Sequence, residues 1–367
     1  MTRFLHVVGA RPNFIKIAPL MREMSKYPCE FEQVLVHTGQ HYDATMSQVF
    51  FDELDLPRPD INLDVGSGSH AEQTAQIMLR FEPVIRKYQP DWVVVPGDVN
   101  STLACALVAC KLGIKIAHVE AGLRSFDRTM PEEINRVLTD SIADLLLTPS
   151  ADGDVNLIRE GIHPDKIRCV GNIMIDTLKR LLPMAEARWH RMRHILNSDQ
   201  FVLVTLHRPS NVDDPGTLQE ILHALNDIAD VMHVVFPVHP RTRQRILQFG
   251  YSTAGLQMLD PLSYLDFLAL EAHATLVLTD SGGVQEETTY LKVPCLTARP
   301  NTERPVTVTS GTNQLVESKR ECLVNEARAR LNGSAHHSAS TRPVPALWDG
   351  RTAERTVAVF RSLSTAN

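Results

Sequence analysis

The chain has 367 residues, 43% of them hydrophobic and 22% charged, a length that suggests two domains with a core each. Its 37 Lys and Arg against 43 Asp and Glu give a formal charge of −6, so general binding to nucleic acid or to anionic membranes is not expected. The opening apolar run is interrupted by His6, and no run approaches the ~20 residues of a membrane-spanning helix, which predicts a cytoplasmic protein.

Short β-branched runs alternate with amphipathic stretches along nearly the whole chain. The runs predict strands over residues 4–9, 33–37, 92–97, 115–120, 144–148, 201–205, 233–237, 275–279 and 293–297. Between them, helical periodicity predicts helices over residues 15–24, 71–88, 101–112, 131–142 and 217–232. Near-continuous apolar strands separated by helices predict an α/β fold with parallel sheets covered on both faces.

A domain boundary is predicted near residue 170, where one strand series closes and a long polar helix over 177–196 precedes the next series. The prediction is an N-terminal domain over 1–170, a C-terminal domain over 171–350, and a closing helix over about 351–367 that packs back on the first. Two similar halves joined by one linker predict a ligand-binding cleft between them.

The segment GARPNFIK, residues 9–16, follows the first predicted strand. Gly9 permits a tight turn into a helix, and Arg11 and Lys16 place two cations near its start. A helix N-terminus with nearby cations suits a diphosphate, because exposed N–H groups and the helix dipole both attract anions. The alternative is an ordinary strand–helix turn with two solvated cations.

The segment TDSGGVQEE, residues 279–287, follows another buried strand. Ser281, Gly282 and Gly283 would let backbone N–H groups approach a phosphate that a Cβ would obstruct. Glu286 and Glu287 lie one turn further on, where a carboxylate could accept hydrogen bonds from ribose hydroxyls. The alternative is a capping serine with acidic first-turn residues, which stabilises any helix.

Three carboxylates in the first half are candidates for proton transfer. Asp98 and Glu120 each follow an apolar strand, so both should lie at the carboxyl edge of one sheet, and Glu132 opens the helix that contains Arg136, a candidate substrate-binding cation. The alternative is salt-bridged or capping carboxylates, which fits Glu133 best. Such a cluster could also hold a hard cation, but the flanking arginines and a histidine argue against a metal.

The segment TLHR, residues 205–208, places His207 and an arginine just after a further strand, and His239 follows the next one. A single histidine is more often a structural residue than a ligand. His207 is nevertheless a candidate phosphate contact because of its position at the end of a strand.

Signals for other chemistries are weak. The stretch Gly66 to Ala71 fits a dinucleotide fingerprint, but the preceding strand is short and lies outside the first βαβ unit, so no NAD and no other cofactor is predicted. P-loop, nucleophile-elbow and zinc-protease motifs are absent from the sequence. Six scattered cysteines without CxxC pairs predict reduced, mostly buried thiols.

Nine segments taken together resemble the non-hydrolysing UDP-N-acetylglucosamine 2-epimerases. In chain order they are GARPNFIK (9–16), TGQHYD (38–43), PGDVNST (96–102), HVEAGLRS (118–125), PEEINR (131–136), VGN (170–172), TLHR (205–208), TDSGGVQEE (279–287) and NTERPVT (301–307). Each segment alone is a weak signal, but nine in this order are specific. A weaker match, WDGRTAERTV (348–357), fits the last helix of the family.

The resemblance implies a GT-B-like fold, two Rossmann-like domains facing a central cleft, with the catalytic carboxylates on the first domain and UDP on the second. It implies reversible interconversion of UDP-GlcNAc and UDP-ManNAc by a cytoplasmic homodimer that serves surface-polysaccharide synthesis. The implied catalytic residues are Asp98, Glu120, Glu132 and His207. The implied substrate contacts, besides Arg136, are Arg11, Lys16, Ser281, Gly282, Gly283, Glu287 and Arg304.

The resemblance also leaves questions open. Some family members bind a second UDP-GlcNAc as an activator, and Gln40, His41 and His239 match that site. Asn13 stands where many members have a glutamate. A hydrolysing epimerase that releases ManNAc, a GT-B glycosyltransferase and a silent nucleotide-sugar sensor are the alternative functions. Weak dinucleotide signals favour elimination of UDP over transient oxidation.

Overall fold

The computed structural model describes residues 1–40, 51, 58–332 and 343–365. They divide into two compact units: unit 1 comprises Met1–Thr177 with Ala346–Asn367, and unit 2 comprises Leu178–Pro345. Within the described part of the chain, no helix has both the length and the apolar character needed to cross a membrane.

Unit 1 is built on a parallel sheet whose described strands follow the order β3-β2-β1-β4-β5-β6-β7. These strands are β1 (Thr2–Val8), β2 (Phe31–His37), β3 (Ile61–Asn62), β4 (Trp92–Pro96), β5 (Lys115–Val119), β6 (Leu145–Thr148) and β7 (Ile167–Cys169). The helices are α1 (Arg11–Met24), α2 (His70–Tyr88), α3 (Asn100–Lys111), α4 (Pro131–Ile142), α5 (Ala151–Arg159) and α6 (Ile173–His194), which continues into unit 2. Fully buried strands such as β4 explain the continuous apolar runs in the sequence.

Unit 2 repeats the same architecture with the strand order β10-β9-β8-β11-β12-β13, again parallel. Its strands are β8 (Phe201–Thr205), β9 (His233–Pro237), β10 (Leu256–Leu259), β11 (Leu276–Thr279), β12 (Cys295–Ala298) and β13 (Asn313–Val316). Its helices are α7 (Pro209–Val212), α8 (Pro215–Ala229), α9 (Pro240–Phe249), α10 (Tyr264–His273), α11 (Gly282–Leu291), α12 (Pro305–Thr309) and α13 (Arg320–Leu331).

The last helix, α14 (Thr352–Thr365), completes the core of unit 1. Phe360 packs edge-on against Phe4, with ring centroids 4.7 Å apart, and against Trp92 at 5.7 Å. Asp176 accepts hydrogen bonds from the Thr352 and Ala353 amides that begin α14. Aromatic packing and a carboxylate cap therefore attach the end of the chain to its first strand.

The α/β fold with two Rossmann-like sheets is confirmed, and every predicted strand is present to within two residues at each end. One composition-based expectation is wrong: of the six cysteines, all with free thiols, only Cys105 and Cys295 are buried. The other four lie on outer elements or turns, where a small thiol is tolerated without being enclosed.

Candidate active site

Asp98 lies two residues beyond β4, and its carboxylate forms an ion pair with Arg136 of α4. Asn135, on the same helix, donates from Nδ2 to the Asp98 carbonyl at 2.9 Å. Arg136 is buried and also donates through Nη2 to Glu133 Oε2 at 2.6 Å. The first turns of α4 thus hold Asp98 at the carboxyl edge of the unit 1 sheet.

Glu120 follows β5 directly and forms a buried ion pair with Lys16 of α1. Its backbone has a φ of 71°, in the left-handed region that residues other than glycine rarely adopt. Gly97 stands against this pair: a Cβ there would lie 2.8 Å from Lys16 Nζ and 3.5 Å from Glu120 Oε2. The structure therefore brings Asp98, the neighbour of Gly97, together with the Lys16–Glu120 pair, and strained backbone at such a place is typical of functional sites.

A buried hydrogen-bond network of His118, Asp140 and Arg124 supports the turn at Gly97. The His118 ring bonds Asp140 through Nδ1 at 2.5 Å and the Gly97 carbonyl through Nε2 at 2.8 Å. Each ring nitrogen of His118 thus has an oxygen partner. Asp140 also pairs with Arg124 at 2.7 Å. Burial raises the pKa of Asp140, but the charges of His118 and Arg124 outweigh burial and lower it overall.

The two glutamates of α4 have different surroundings. Glu133 is buried and accepts from the Ser125 and Phe126 amides, both at 2.9 Å. Burial opposes its ionisation, but the Ser125 amide and Arg136 outweigh burial and lower the pKa of Glu133. Glu133 is therefore a structural anion, as the capping alternative expected. Glu132 is half-buried and lies one turn before Arg136, on the same face of α4.

The turn between β1 and α1 is held by Asn13. Its Oδ1 accepts from the Gly9 and Ala10 amides at 3.1 and 3.0 Å, and its Nδ2 donates to the Pro96 carbonyl at 3.0 Å. Asn13 thus ties this turn to the end of β4, which is a structural role that an amide can fill and a carboxylate could fill only in part. The side chain of Arg11 lies outside the described residues.

The three residues proposed for an activator site do not all have a described structure. Gln40 is buried and accepts from both the amide and the hydroxyl of Ser101, at 3.1 and 2.7 Å, in unit 1. His41 lies outside the described residues. His239 caps α9 in unit 2, and burial together with the charges of His207 and Arg241 lowers its pKa. Binding of an activator at these residues stays a prediction.

In unit 2, the Asp280 carboxylate organises the turn after β8. Asp280 follows β11, is buried, and accepts from the amides of His207 and Arg208 at 3.0–3.1 Å. It also pairs with His207 Nδ1 at 3.0 Å, while the His207 side chain is 45% exposed. Burial opposes ionisation, but His207 and the Arg208 amide outweigh it and lower the pKa of Asp280. His207 is therefore oriented with its other ring nitrogen available to a ligand.

Arg304 lies against the N-terminus of α11, where Ser281 is the capping residue and Gly282 and Gly283 form the first turn. A Cβ on Gly282 would lie 2.5 Å from Arg304 Nη1, so glycine permits this close approach. Arg304 is buried and pairs with Glu303 at 2.5 Å and with Glu286 at 2.9 Å. A guanidinium beside free helix N–H groups makes a site for an anion.

Glu303 is a buried carboxylate shared by three arginines. Arg304 and Arg299 pair with it at 2.5 and 2.8 Å, and Arg208 lies 3.6 Å away. Burial raises the pKa of Glu303, but these cations outweigh burial and lower it strongly. Three arginines therefore meet at this edge of the sheet, with Glu303 and Glu286 as their buried carboxylate partners.

Glu287 lies on α11, buried, and accepts a hydrogen bond from the Tyr264 hydroxyl of α10 at 2.5 Å. It stands within the second turn of the helix whose N-terminus carries Gly282.

Sequence reasoning missed several partners that hold these groups, because most of the contacts join residues that lie far apart in the chain. His118, Asp280 and Glu303 stood in motifs already singled out, and Asp280 could have been flagged as a polar residue directly after a strand. The missed residues are His118, Asp140, Tyr264, Asp280, Arg299 and Glu303.

Unit 1 therefore has a cluster of carboxylates paired with cations at the carboxyl edge of its sheet. Unit 2 has a cluster of arginines beside the N-terminus of α11. A family model described as UDP-N-acetylglucosamine 2-epimerase matches residues 22–361. The chain belongs to this family. The match confirms the resemblance drawn from the nine segments, and it places the chain in a family of isomerases.

Individual relatives cover nearly the whole chain. A UDP-N-acetylglucosamine 2-epimerase from Methanocaldococcus jannaschii is 46% identical over 337 residues, which is 89% of this chain and 91% of the relative. A UDP-2,3-diacetamido-2,3-dideoxy-D-glucuronate 2-epimerase from Pseudomonas aeruginosa is 43% identical over 332 residues, 90% and 92% of the two chains.

A solved structure extends the likeness to the fold. The crystal structure of the Methanocaldococcus jannaschii UDP-GlcNAc 2-epimerase in complex with UDP-GlcNAc and UDP aligns with a TM-score of 0.90 at 43% identity. The alignment covers 98% of this chain and 100% of that one. The GT-B-like fold class is thereby confirmed.

Proposed function

We propose that the chain catalyses the reversible epimerisation of UDP-GlcNAc to UDP-ManNAc at C2, by elimination and re-addition of UDP. Membership of the family supports this reaction over glycosyl transfer and over hydrolysis. The observation that carries the proposal is the acidic cluster of unit 1, where Asp98 and Glu120 lie at one sheet edge, each paired with a cation.

The chemistry of the substrate explains the need for acids and cations. The C2 hydrogen is not adjacent to a carbonyl, so simple deprotonation would leave an unstabilised carbanion. If a carboxylate removes this proton while the C1–O bond breaks, the electrons form a C1–C2 double bond and UDP leaves with the bonding pair. An acid then returns a proton to the other face of C2, and a UDP oxygen attacks C1 to restore the glycosidic bond.

We assign the proton transfers to Asp98, Glu120 and Glu132 as a set. The paired cations suit these roles, because Arg136 beside Asp98 and Lys16 beside Glu120 hold each carboxylate in a fixed position at the sheet edge. Which of the three is base and which is acid stays open, since proton transfer in the two directions exchanges the roles.

We assign UDP to the edge of the unit 2 sheet where Arg208, Arg299 and Arg304 meet around Glu303. Ser281, Gly282 and Gly283 at the start of α11, with Arg304 beside them, would hold the diphosphate and stabilise its growing charge as it leaves. His207, fixed by Asp280, would donate to the same group. Glu287 would accept from the ribose hydroxyls, and Arg11, Lys16 and Arg136 remain proposed substrate contacts.

Incubation in D₂O tests the reaction. UDP-GlcNAc is mixed with the protein and followed by NMR; we expect UDP-ManNAc that carries deuterium at C2. Free ManNAc would show hydrolysis, and an absence of exchange would contradict the proposal. Asp98→Asn should slow exchange at least 100-fold with UDP binding nearly unchanged, whereas the exposed Asp165→Asn should behave as the wild type. An active Asp98→Asn variant would remove Asp98 from the catalytic set.

A second substrate has support of its own. The Pseudomonas aeruginosa relative, nearly as similar as the archaeal one, is named for UDP-2,3-diacetamido-2,3-dideoxy-D-glucuronate. The same elimination would serve that sugar, because its C2 hydrogen has the same chemistry. Running the D₂O exchange with both nucleotide sugars and comparing kcat/KM decides between them.

We also propose that the protein is a homodimer whose contact surface is the outer face of α4. The polar residues of this helix, such as Arg136 and Asp140, are buried, whereas Ile134 and Leu138 are 41% and 45% exposed. Together with Phe126, which is 73% exposed, they line a groove of about 520 Å³. A helix with its polar side buried and its apolar side exposed suits burial against another surface.

A second copy fits this groove because the same patch also holds charges of both signs, Arg128 and Glu160, and so complements itself across a two-fold axis. Light scattering after gel filtration should give a dimer for the wild type and a monomer for Leu138→Asp. Leu247→Asp is the matched control, since Leu247 is 75% exposed on α9. If Leu138→Asp still forms a dimer, the contact surface lies elsewhere.

For the cellular setting we propose the cytoplasm and the supply of a ManNAc donor for surface polysaccharide. The resemblance supports both, and six free thiols suit a reducing compartment. Deletion of the gene should remove ManNAc from the surface glycan, and fractionation should recover the protein with cytoplasmic markers.

A further inference from the structure

One ionisable side chain in unit 2 has no part in the mechanism so far. Glu271 lies on α10 with 0% of its surface exposed, and no donor group among the described residues reaches either of its carboxyl oxygens. A buried carboxyl without donors is costly, particularly when ionised, and such groups usually have a specific role.

The surroundings of Glu271 belong to the proposed ribose site. Tyr264, which donates to Glu287, lies two turns earlier on the same helix, so both side chains project from one face of α10. Cys295 of β12 is the other titratable group beside Glu271, and burial raises its pKa to about 12, so it is an uncharged thiol at neutral pH. Glu287 is therefore the charged group that Glu271 faces.

Two adjacent carboxyl groups in a buried place cannot both be ionised at low cost. Burial raises the pKa of Glu271 well above its ordinary value, and the charge of Glu287 raises it further. Glu287 accepts from Tyr264, whereas no described donor reaches Glu271, so the negative charge of the pair belongs on Glu287.

We propose that Glu271 is a positioning residue: its carboxyl group donates a hydrogen bond to Glu287, which fixes that carboxylate for the hydroxyls of the UDP ribose. The inference rests on the proposed function, since it assumes that Glu287 binds the ribose. A carboxylate has about four acceptor positions. Donors from Tyr264 and Glu271 occupy two of these positions and hold the carboxylate in the orientation in which it would meet the ribose hydroxyls.

The test compares two variants of Glu271 with UDP and 2′-deoxy-UDP as probes, by calorimetric titration of the full-length protein. Glu271→Gln keeps a neutral side chain that can donate, so we expect its Kd for UDP to stay within about twofold of the wild type. Glu271→Met has similar length and cannot donate, so we expect a Kd for UDP about tenfold higher. The penalty should shrink to about twofold for 2′-deoxy-UDP, because the lost contact acts through the hydroxyl.

The outcomes separate the inference from the function beneath it. If the wild type fails to bind UDP, or binds UDP and 2′-deoxy-UDP equally, the proposed ribose site is wrong. If the wild type discriminates between them but Glu271→Met weakens both equally, Glu271 has only a structural role and the inference fails. It fails too if Glu271→Gln loses tenfold in UDP affinity, which remains decisive should Glu271→Met not fold.

Discussion

Gly282→Ala is a one-methyl change at the centre of the proposed anion site. The new Cβ would lie 2.5 Å from Arg304 Nη1 and 2.8 Å from Glu303 Oε1. The guanidinium of a solvent-exposed arginine could move away from the new Cβ at little cost. Arg304 cannot do so at low cost, because it is buried and paired with Glu303 and Glu286.

The expected magnitude follows from that distance. Arg304 Nη1 must retreat from 2.5 Å to the ordinary contact distance of 3.4 Å, which lengthens its ion pair with Glu303. Complete loss of a buried pair costs about 3–5 kcal/mol, so partial loss should cost about 2 kcal/mol. Replacing glycine by alanine in a helix returns about 0.5–1 kcal/mol. We therefore expect a net loss of about 1–1.5 kcal/mol, with a Kd for UDP raised about tenfold or more.

Urea unfolding and calorimetric titration with UDP measure the two effects. Gly216→Ala is the matched control: Gly216 lies in the first turn of α8, and its new Cβ would meet only Asp214 Oδ2, at 3.4 Å. The control should therefore gain up to about 1 kcal/mol and bind UDP normally. A Gly282→Ala variant that gains stability as the control does, and binds UDP as the wild type does, would refute the reasoning.

Three further predictions follow from buried contacts in unit 1. Lys16→Met leaves Glu120 buried without its cation, so the free energy of unfolding should fall by about 3 kcal/mol; a urea midpoint equal to that of the wild type would contradict this. Asp140 has a lowered pKa, so its contribution is present above about pH 4 and is lost as pH falls, because the unfolded chain then binds the proton more readily. Asp140→Asn should be less stable at pH 7 and lose less stability between pH 5 and pH 3, as measured by urea unfolding at each pH. Phe360→Ala should cost about 3–5 kcal/mol, whereas exposed Leu247→Ala should change stability by less than about 0.5 kcal/mol.

The fold was predictable where strands are buried on both faces. The central strands β4 and β8 lie between neighbours and are almost wholly apolar, so their runs stand out in the sequence. The four strands that the patterns missed are the edges of the two sheets, β3, β7, β10 and β13. Edge strands are short and only partly buried, so their sequences mix polar and apolar residues and show no continuous run.

The sequence predicted at which edge of the sheet the candidate catalytic residues lie. Asp98 and Glu120 were expected at the carboxyl edge of one sheet because each follows an apolar strand, and in the structure those strands are the neighbours β4 and β5. The pairing of each with its own cation was not predictable: Lys16 and Glu120 are 104 residues apart, and Arg136 is 38 residues from Asp98. Periodicity describes which face a side chain occupies, whereas such long-range pairs depend on how helices pack against the sheet.

Because α14 packs on β1, unit 1 can complete its folding only after α14 has been synthesised. The ribosome makes β1 and β4 early, yet the ring that packs between Phe4 and Trp92 comes from Phe360, which is synthesised long after both. Until Phe360 leaves the exit tunnel, the aromatic cluster of Phe4 and Trp92 in the nascent first unit is incomplete. We therefore expect a product that lacks Ala346–Asn367 to leave these rings exposed and to be less stable than the full chain.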